Sequence, residues 1–190
     1  MEKILNRETT AGGVNTRQLA LTGLFAALSC AATMVLQVPS PTGGYLNLGD
    51  TTVLLGAWML GPVYGMAAGG IGSAMADLLS GYAVYVPGTL VIKALMGLTA
   101  ALLYRALGKR FVPLCAAAAE APMVLGYWLY DALLASLSGG GAFRLCLTGS
   151  AAGIPSNLVQ AAFGAAASTL LAYALRRSHF VRQHFPRLRA

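Results

Sequence analysis

The sequence predicts an all-α integral membrane protein with six transmembrane helices and both termini cytoplasmic. Three observations lead there. Of the 190 residues, 57% are hydrophobic and only 10% are charged, where a soluble domain carries about a quarter charged residues. The apolar residues fall into six runs separated by Gly, Pro and short basic clusters, the pattern of helices that satisfy their own backbone in lipid. Finally, the net charge of +7 is unevenly placed. Lys3, Arg7 and Arg17 precede the first run, Arg105, Lys109 and Arg110 fill one break, and Arg176, Arg177, Arg182, Arg187 and Arg189 follow the last run. Between the other runs lies only Arg144. Six crossings put each large cluster in the cytoplasm, as the positive-inside rule requires. The basic tail suits anionic lipid headgroups better than nucleic acid.

Residues 1–16 read as a polar cytoplasmic lead, 17–177 as the membrane domain and 178–190 as a basic cytoplasmic tail. The first span is expected from Gln18 to Val38. Its Leu28-Ser29-Cys30-Ala31 resembles a cleavage site, but the apolar run continues past the cysteine, so a retained helix is expected. Pro39, Pro41, Gly43 and Gly44 open an outer loop that reaches Gly49. Run two, Thr51 to Leu60, stops at Gly61-Pro62, and run three extends from Val63 to Leu79. Both are short against the roughly 20 residues that cross a bilayer, so they are expected to be tilted, or partly re-entrant and covered by neighbours. The fourth span covers Gly88 to Leu107, and the fifth Phe111 to Leu137 with Pro122 as a kink point. A glycine loop follows Ser138. The sixth span runs from Cys146 to Leu175, with Pro155 allowing a bend. The three cysteines, Cys30, Cys115 and Cys146, show no metal-ligand spacing and read as small buried hydrophobes. His179 and His184 read as solvated.

Polar residues inside these runs are the candidate site. Glu120, Tyr127 and Asp131 are spaced i, i+7 and i+11, which puts Tyr127 and Asp131 each within roughly 20° of Glu120 on a helix. A carboxylate near the bilayer centre costs about 2.5–3.5 kcal/mol on insertion scales, and Glu120 lies roughly 14 Å along its helix from Phe111. These residues read as lining a pocket for a small polar molecule, or, for Glu120, as the partner of a basic group. Trp128 and Tyr130 flank the strip and also suit an interfacial position. On the sixth span, Gly153, Asn157, Gln160 and Gly164 share a face. Their amides can line a pocket or bond between helices. Lys93 in the fourth span can snorkel, touch a ligand, or pair with Asp131, Glu120 or Asp77. In the first outer loop Tyr45 and Asn47 can close over a ligand, while Asp50 reads as the N-cap of run two. Gly23, Ala27 and Ala31 recur every four residues on the first span, a smooth groove for another helix, inside or outside the bundle. Gly65, Gly69 and Ser73 read as internal packing. The sequence contains no phosphate-binding G-x-x-x-x-G-K-[ST] loop.

Taken with Gly43-Gly44-Tyr45-Leu46-Asn47-Leu48-Gly49-Asp50, Gly61-Pro62, the stretch from Gly72 to Tyr82, and Asn157-Leu158-Val159-Gln160, the chain resembles a substrate-binding S component of an energy-coupling factor (ECF) vitamin transporter. It is most similar to the riboflavin-type branch, which also holds hydroxymethylpyrimidine and pyridoxine candidates. The resemblance implies six helices in a bacterial cell membrane, no cofactor or metal, and no chemistry of its own. It implies one vitamin held in an outward pocket built from the later helices and the first loop. It also implies docking of the first helix, here through Ala27 and Ala31 with Gly23 a turn earlier, onto a transmembrane coupling subunit. Two ATPase subunits would supply the energy. The expected ligand contacts are stacking by Tyr127 and Trp128, hydrogen bonds from Asn157, Gln160 and Glu120, and closure by Tyr45 and Asn47. Lys93 and Asp131 complete the set. The sequence offers no large aromatic group suited to a flavin, which favours a smaller heterocycle. Two alternatives remain: a membrane enzyme using Glu120 and Asp131 as acid and base, and a stand-alone carrier with a Lys93–Glu120 proton relay.

Overall fold

A computed structural model of the chain describes residues 15–189. Most of the expected lead, with Lys3 and Arg7, lies outside the described residues. Helix α1 is Thr16–Val35, started by Asn15, whose side chain accepts from the Gln18 N–H. A two-stranded hairpin follows, β1 Val38–Pro39 against β2 Tyr45–Leu46, with Val38 opposite Leu46 and Pro39 opposite Tyr45. Next come α2 Gly49–Leu60, α3 Pro62–Leu79, α4 Val86–Leu107 and α5 Val112–Leu137. The expected last span is divided. Helix α6 covers Phe143–Ser150, a 3-10 turn spans Ala151–Gly153, and α7 runs Ile154–Leu175. Pro155 therefore does not bend a continuous helix. It sits in the first turn of a new one, where its missing N–H leaves no bond unmade.

Four stretches are long and apolar enough to cross a membrane: Thr16–Val35, Ala83–Leu107, Val112–Leu137 and Phe143–Leu175. Helix α2, with 12 residues, is only about 18 Å long against about 30 Å of hydrocarbon. Its burial explains how it can be so short. Every residue of α2 except Thr52 is buried, as in a helix that is apolar all round and covered on all sides. Around it pack α1, α3, α4 and α7. Large apolar side chains point outward from the surrounding helices, among them Leu24, Val63, Val91, Leu125 and Leu170, as lipid-facing surfaces require.

Small residues set the closeness of this packing. Gly65, Gly69 and Ser73 are buried on α3, and Gly69 faces Val53 of α2 and the Lys93 carbonyl of α4. Gly72 lies against the Ala26 backbone of α1, and a Cβ there would also fall 2.9 Å from Ser29. Gly23, on the other face of α1, has open space where a Cβ would stand.

The two ends of the bundle differ. One gathers the hairpin, the turn at Ala83–Tyr85 and the α5–α6 loop: Gln37 bonds Ser80, and the Tyr130 hydroxyl donates to the Val84 carbonyl. The other end gathers Gly61, the α4–α5 connection and the basic tail. That tail, expected as a basic cytoplasmic segment suited to lipid headgroups, folds back as α8 His179–His184 and α9 Pro186–Arg189. Val181, Phe185 and Leu188 are buried, and Tyr104 and Arg176 both donate to the Leu188 carbonyl. Apolar residues between the arginines make the return possible. His179 and His184 do remain exposed.

The packing argument makes a paired expectation. Gly72→Val should lower stability by about 1–3 kcal/mol through overpacking at the α1–α3 contact. Gly23→Leu should stay within about 0.5 kcal/mol of the parent. Thermal unfolding of both variants in detergent checks this; equal losses would place Gly23 in the packed interior.

Candidate functional site

A hollow opens at the hairpin end of the bundle. Its volume is about 30 Å³. The hairpin and its flanks supply Ser40, Thr42, Gly44, Tyr45 and Asn47. Asp77 comes from α3, Tyr85 from the turn before α4, Thr89 from the first turn of α4, Tyr127 and Asp131 from α5, and Asn157 from α7. None of these side chains is aliphatic, so the hollow recognises by hydrogen bonds and ring faces.

Its walls are tied together. The Tyr45 hydroxyl donates to Asp77. The Tyr85 hydroxyl reaches the Asp131 carboxylate at 3.0 Å and the Thr42 carbonyl at 3.3 Å. Thr89 and Tyr127 share a 3.0 Å hydrogen bond, and Ser40 and Ser156 one of 3.1 Å. Burial first, and the Asp77 carboxylate second, push the Tyr45 hydroxyl well above its ordinary pKa. It stays a donor at physiological pH and latches β2 to α3. Four tyrosines form an arc at the mouth: Tyr45–Tyr82, Tyr82–Tyr85 and Tyr85–Tyr130 ring centroids lie 4.6, 6.4 and 6.0 Å apart. A second hollow of about 330 Å³ adjoins the first between α5 and α6, and the two share Thr42 and Asp131.

Beneath the floor lies a buried charged network. Lys93 of α4 and Asp50 of α2 form an ion pair, each about 1% exposed. Gln160 of α7 donates to the other Asp50 oxygen at 2.6 Å. The Gln160 carbonyl accepts from the Asn47 N–H at 2.8 Å, and the Asn47 side chain accepts from the Gly49 N–H at 2.9 Å. The Lys93 ammonium also lies 5.5 Å from the Tyr127 ring centroid, within cation–π range. Glu120, 2% exposed, sits one layer deeper against Gly164, where a Cβ would fall 2.6 Å from its Oε1 and 2.9 Å from the Asp50 Cβ. Both Glu120 oxygens lack a hydrogen-bond partner among the described residues.

Of the residues singled out from sequence, Tyr45, Asn47, Tyr127, Asp131 and Asn157 line the hollow. Lys93, Glu120 and Gln160 lie below it. Three expectations need correction. Asp50 is not the N-cap of α2; Leu48 is, and Asn47 supplies the side-chain acceptor at that end. Lys93 pairs with Asp50 rather than with Asp131, Glu120 or Asp77, because α2 and α4 pack directly together. Trp128 does not line the hollow. Lying about 100° around the helix from Tyr127, it donates instead to the Leu147 carbonyl at 2.9 Å and pins α6 to α5. Sequence reading missed Ser40, Thr42, Thr89 and Tyr85 as lining residues, and it missed the tyrosine arc. The rings come from three separate stretches, and only the run Tyr82 to Tyr85 between two apolar spans hinted at them.

A family model described as "ECF-type riboflavin transporter, S component" matches residues 13–177. The chain belongs to this family. The family is a transporter component rather than an enzyme family, and the four long apolar stretches fit a multi-pass membrane protein. A curated relative from Pyrococcus woesei, described as an uncharacterized protein in gap 3'region, is 47% identical over 66 residues. That match covers 34% of this S component and 44% of the relative, so the chain spans less than half of the relative's length.

Two substitutions test the network under the hollow. Lys93→Met strands the Asp50 carboxylate and should cost about 3–5 kcal/mol, much of it restored in the Lys93→Met/Asp50→Leu double variant. Glu120→Gln removes a carboxylate beside Asp50 and supplies N–H donors, and should gain about 1 kcal/mol. Chemical denaturation in detergent measures all three; destabilisation by Glu120→Gln would mean that its charge is compensated.

Proposed function

We propose that this S component captures a small, flat, hydrogen-bonding heterocycle of the hydroxymethylpyrimidine or pyridoxine type in the hairpin-end hollow. The observation that carries this reading is the lining: three tyrosine rings, two carboxylates and two amide side chains, with no aliphatic wall. Tyr127 and Tyr85 offer ring faces. Asp131 and Asp77 accept from ring N–H, amino or hydroxyl groups. Asn157 both donates and accepts. Tyr45 and Asn47 close the site from the hairpin, while Lys93, Glu120 and Gln160 hold its floor. The small open core favours a compact ligand over a tricyclic one.

Riboflavin is the second reading. The family description names it, and the tyrosine arc supplies ring faces that the sequence alone did not suggest. The adjoining hollow shares Asp131 and Thr42, which gives a longer ligand a place for its tail.

The partners proposed are a transmembrane coupling subunit and two ATPase subunits, acting in a bacterial cell membrane with six crossings and both termini cytoplasmic. The basic end with Gly61, Arg105 and the tail then faces inward, and the hollow faces outward. Gly23, Ala27 and Ala31 are exposed together on α1, while Thr22, Phe25, Ser29 and Thr33 of the same helix are buried. A stripe left open on a packed helix supports docking to the coupling subunit.

Titration calorimetry with hydroxymethylpyrimidine, pyridoxine and riboflavin separates the two readings. Tightest binding of a one-ring compound is expected, with Asp131→Asn and Asn157→Ala each weakening it about tenfold or more. Riboflavin binding alone would select the second reading, and indifference of the affinity to both variants would place the ligand elsewhere. Ala27→Trp is expected to abolish uptake and complex assembly while leaving affinity unchanged; a matching loss of affinity would make the stripe internal packing.

A further inference from the structure

The bundle has a gap between α1 and α7. Both helices pack on α2, but not closely on each other. Thr52, Leu55 and Met59 of α2, which share a face at i, i+3 and i+7, therefore floor a groove of about 670 Å³. Leu24 and Leu28 of α1 wall it and are 53% and 45% exposed, so the groove lies on the lipid-facing surface. Its polarity is graded along its length. Apart from Thr52, the polar lining residues are Arg17, Ser178 and His184, all at the basic end. Thr52 brings no unmet polarity to the deep part, because its hydroxyl donates to the Gly49 carbonyl at 2.6 Å and meets Ser29 Oγ at 3.1 Å. Arg17 is held at the mouth by donating to the His184 carbonyl at 2.9 Å, and the His184 ring stacks on Phe180 with centroids 4.2 Å apart. That bond leaves the rest of the guanidinium fork able to donate, and among the described residues no carboxylate lines the groove. From Arg17 to Leu28 the helix rises about 16 Å, close to half of about 30 Å of hydrocarbon.

We propose that this groove holds one anionic phospholipid of the leaflet on the basic side, with an acyl chain along the α2 stripe and the phosphate on Arg17. An apolar length of one leaflet with a single positive end complements that molecule in both shape and charge. A transmembrane helix of another chain crosses both leaflets, whereas the lining stops at Leu28 and Thr52. The lipid fills the space between α1 and α7 and ties α1 to the tail through Arg17 and Phe180.

Native mass spectrometry tests this on full-length protein released from nanodiscs of mixed phosphatidylcholine and phosphatidylglycerol. One retained phosphatidylglycerol per chain is expected, preferred over phosphatidylcholine about tenfold. Arg17→Gln, which can still donate to the His184 carbonyl, should remove that preference. Leu28→Trp, which fills the groove, should lower retention of both lipids about tenfold, and Leu24→Trp repeats the test from the neighbouring turn. All three positions are exposed, so an unchanged melting temperature in detergent separates lost lipid from lost fold. Arg144→Gln, in α6 at the hairpin end, should retain the lipid as the parent does. Equal retention of the two lipids by the parent, undiminished retention in both tryptophan variants, or the same loss in Arg144→Gln overturns the proposal. A retained second copy of the chain that Leu28→Trp releases would overturn it as well, since the groove would then be a dimer contact.

Discussion

The ion pair between Lys93 and Asp50 is the constraint around which the protein is arranged. Two unit charges buried in an apolar bundle are tolerated only when paired and hydrogen-bonded. Here one pair joins α2 to α4 and, through Gln160, to α7. The same Gln160 takes the N–H of Asn47, so the hairpin is fastened to the network as well. Helix α2 is too short to cross hydrocarbon, and its ladder ends near Asp50. The surrounding helices shield it, and the pair fixes its depth. The hollow above inherits that geometry, since Tyr127 stands over the Lys93 ammonium and Asn47 is held from below.

The molecule separates its tasks by position. The hairpin end is built of tyrosines, carboxylates and amides, with hydrogen bonds running between the elements that wall the hollow. The exposed side of α1 offers a stripe of small residues and leaves its Thr and Phe positions for internal contact. At the basic end, a tail that buries Val181, Phe185 and Leu188 closes the bundle. The proposed ligand capture and the proposed docking to a coupling subunit would then use separate surfaces. Changes at the α1 stripe can then leave the hairpin-end hollow untouched.

Much of this was legible in the sequence. Apolar runs of helical length, interrupted by Gly61-Pro62 and by Gly108 before Lys109, marked most boundaries within two or three residues, because lipid leaves the backbone no alternative to helix. The shared face of Glu120, Tyr127 and Asp131 follows from helical spacing, and all three do point inward. What spacing could not supply was the pairing between helices. Lys93 had several carboxylates within plausible reach, and only the direct α2–α4 contact selects Asp50. Nor could it divide the last span, since Cys146 to Leu175 reads as one apolar run until the turn at Ala151–Gly153 is seen. The tyrosine arc escaped for the same reason: Tyr45, Tyr82 and Tyr130 are far apart in the chain, and a loop, a turn and a helix bring them together.

A structure of the protein with the proposed heterocycle bound tests the central claim most directly. The account predicts the ring between Tyr85, Tyr127 and Asn157, with its polar edge on Asp131 and the Asp50–Lys93–Gln160 network intact beneath it. A ligand seated outside the hairpin-end hollow, or Lys93 withdrawn from Asp50 to contact the ligand directly, would contradict it.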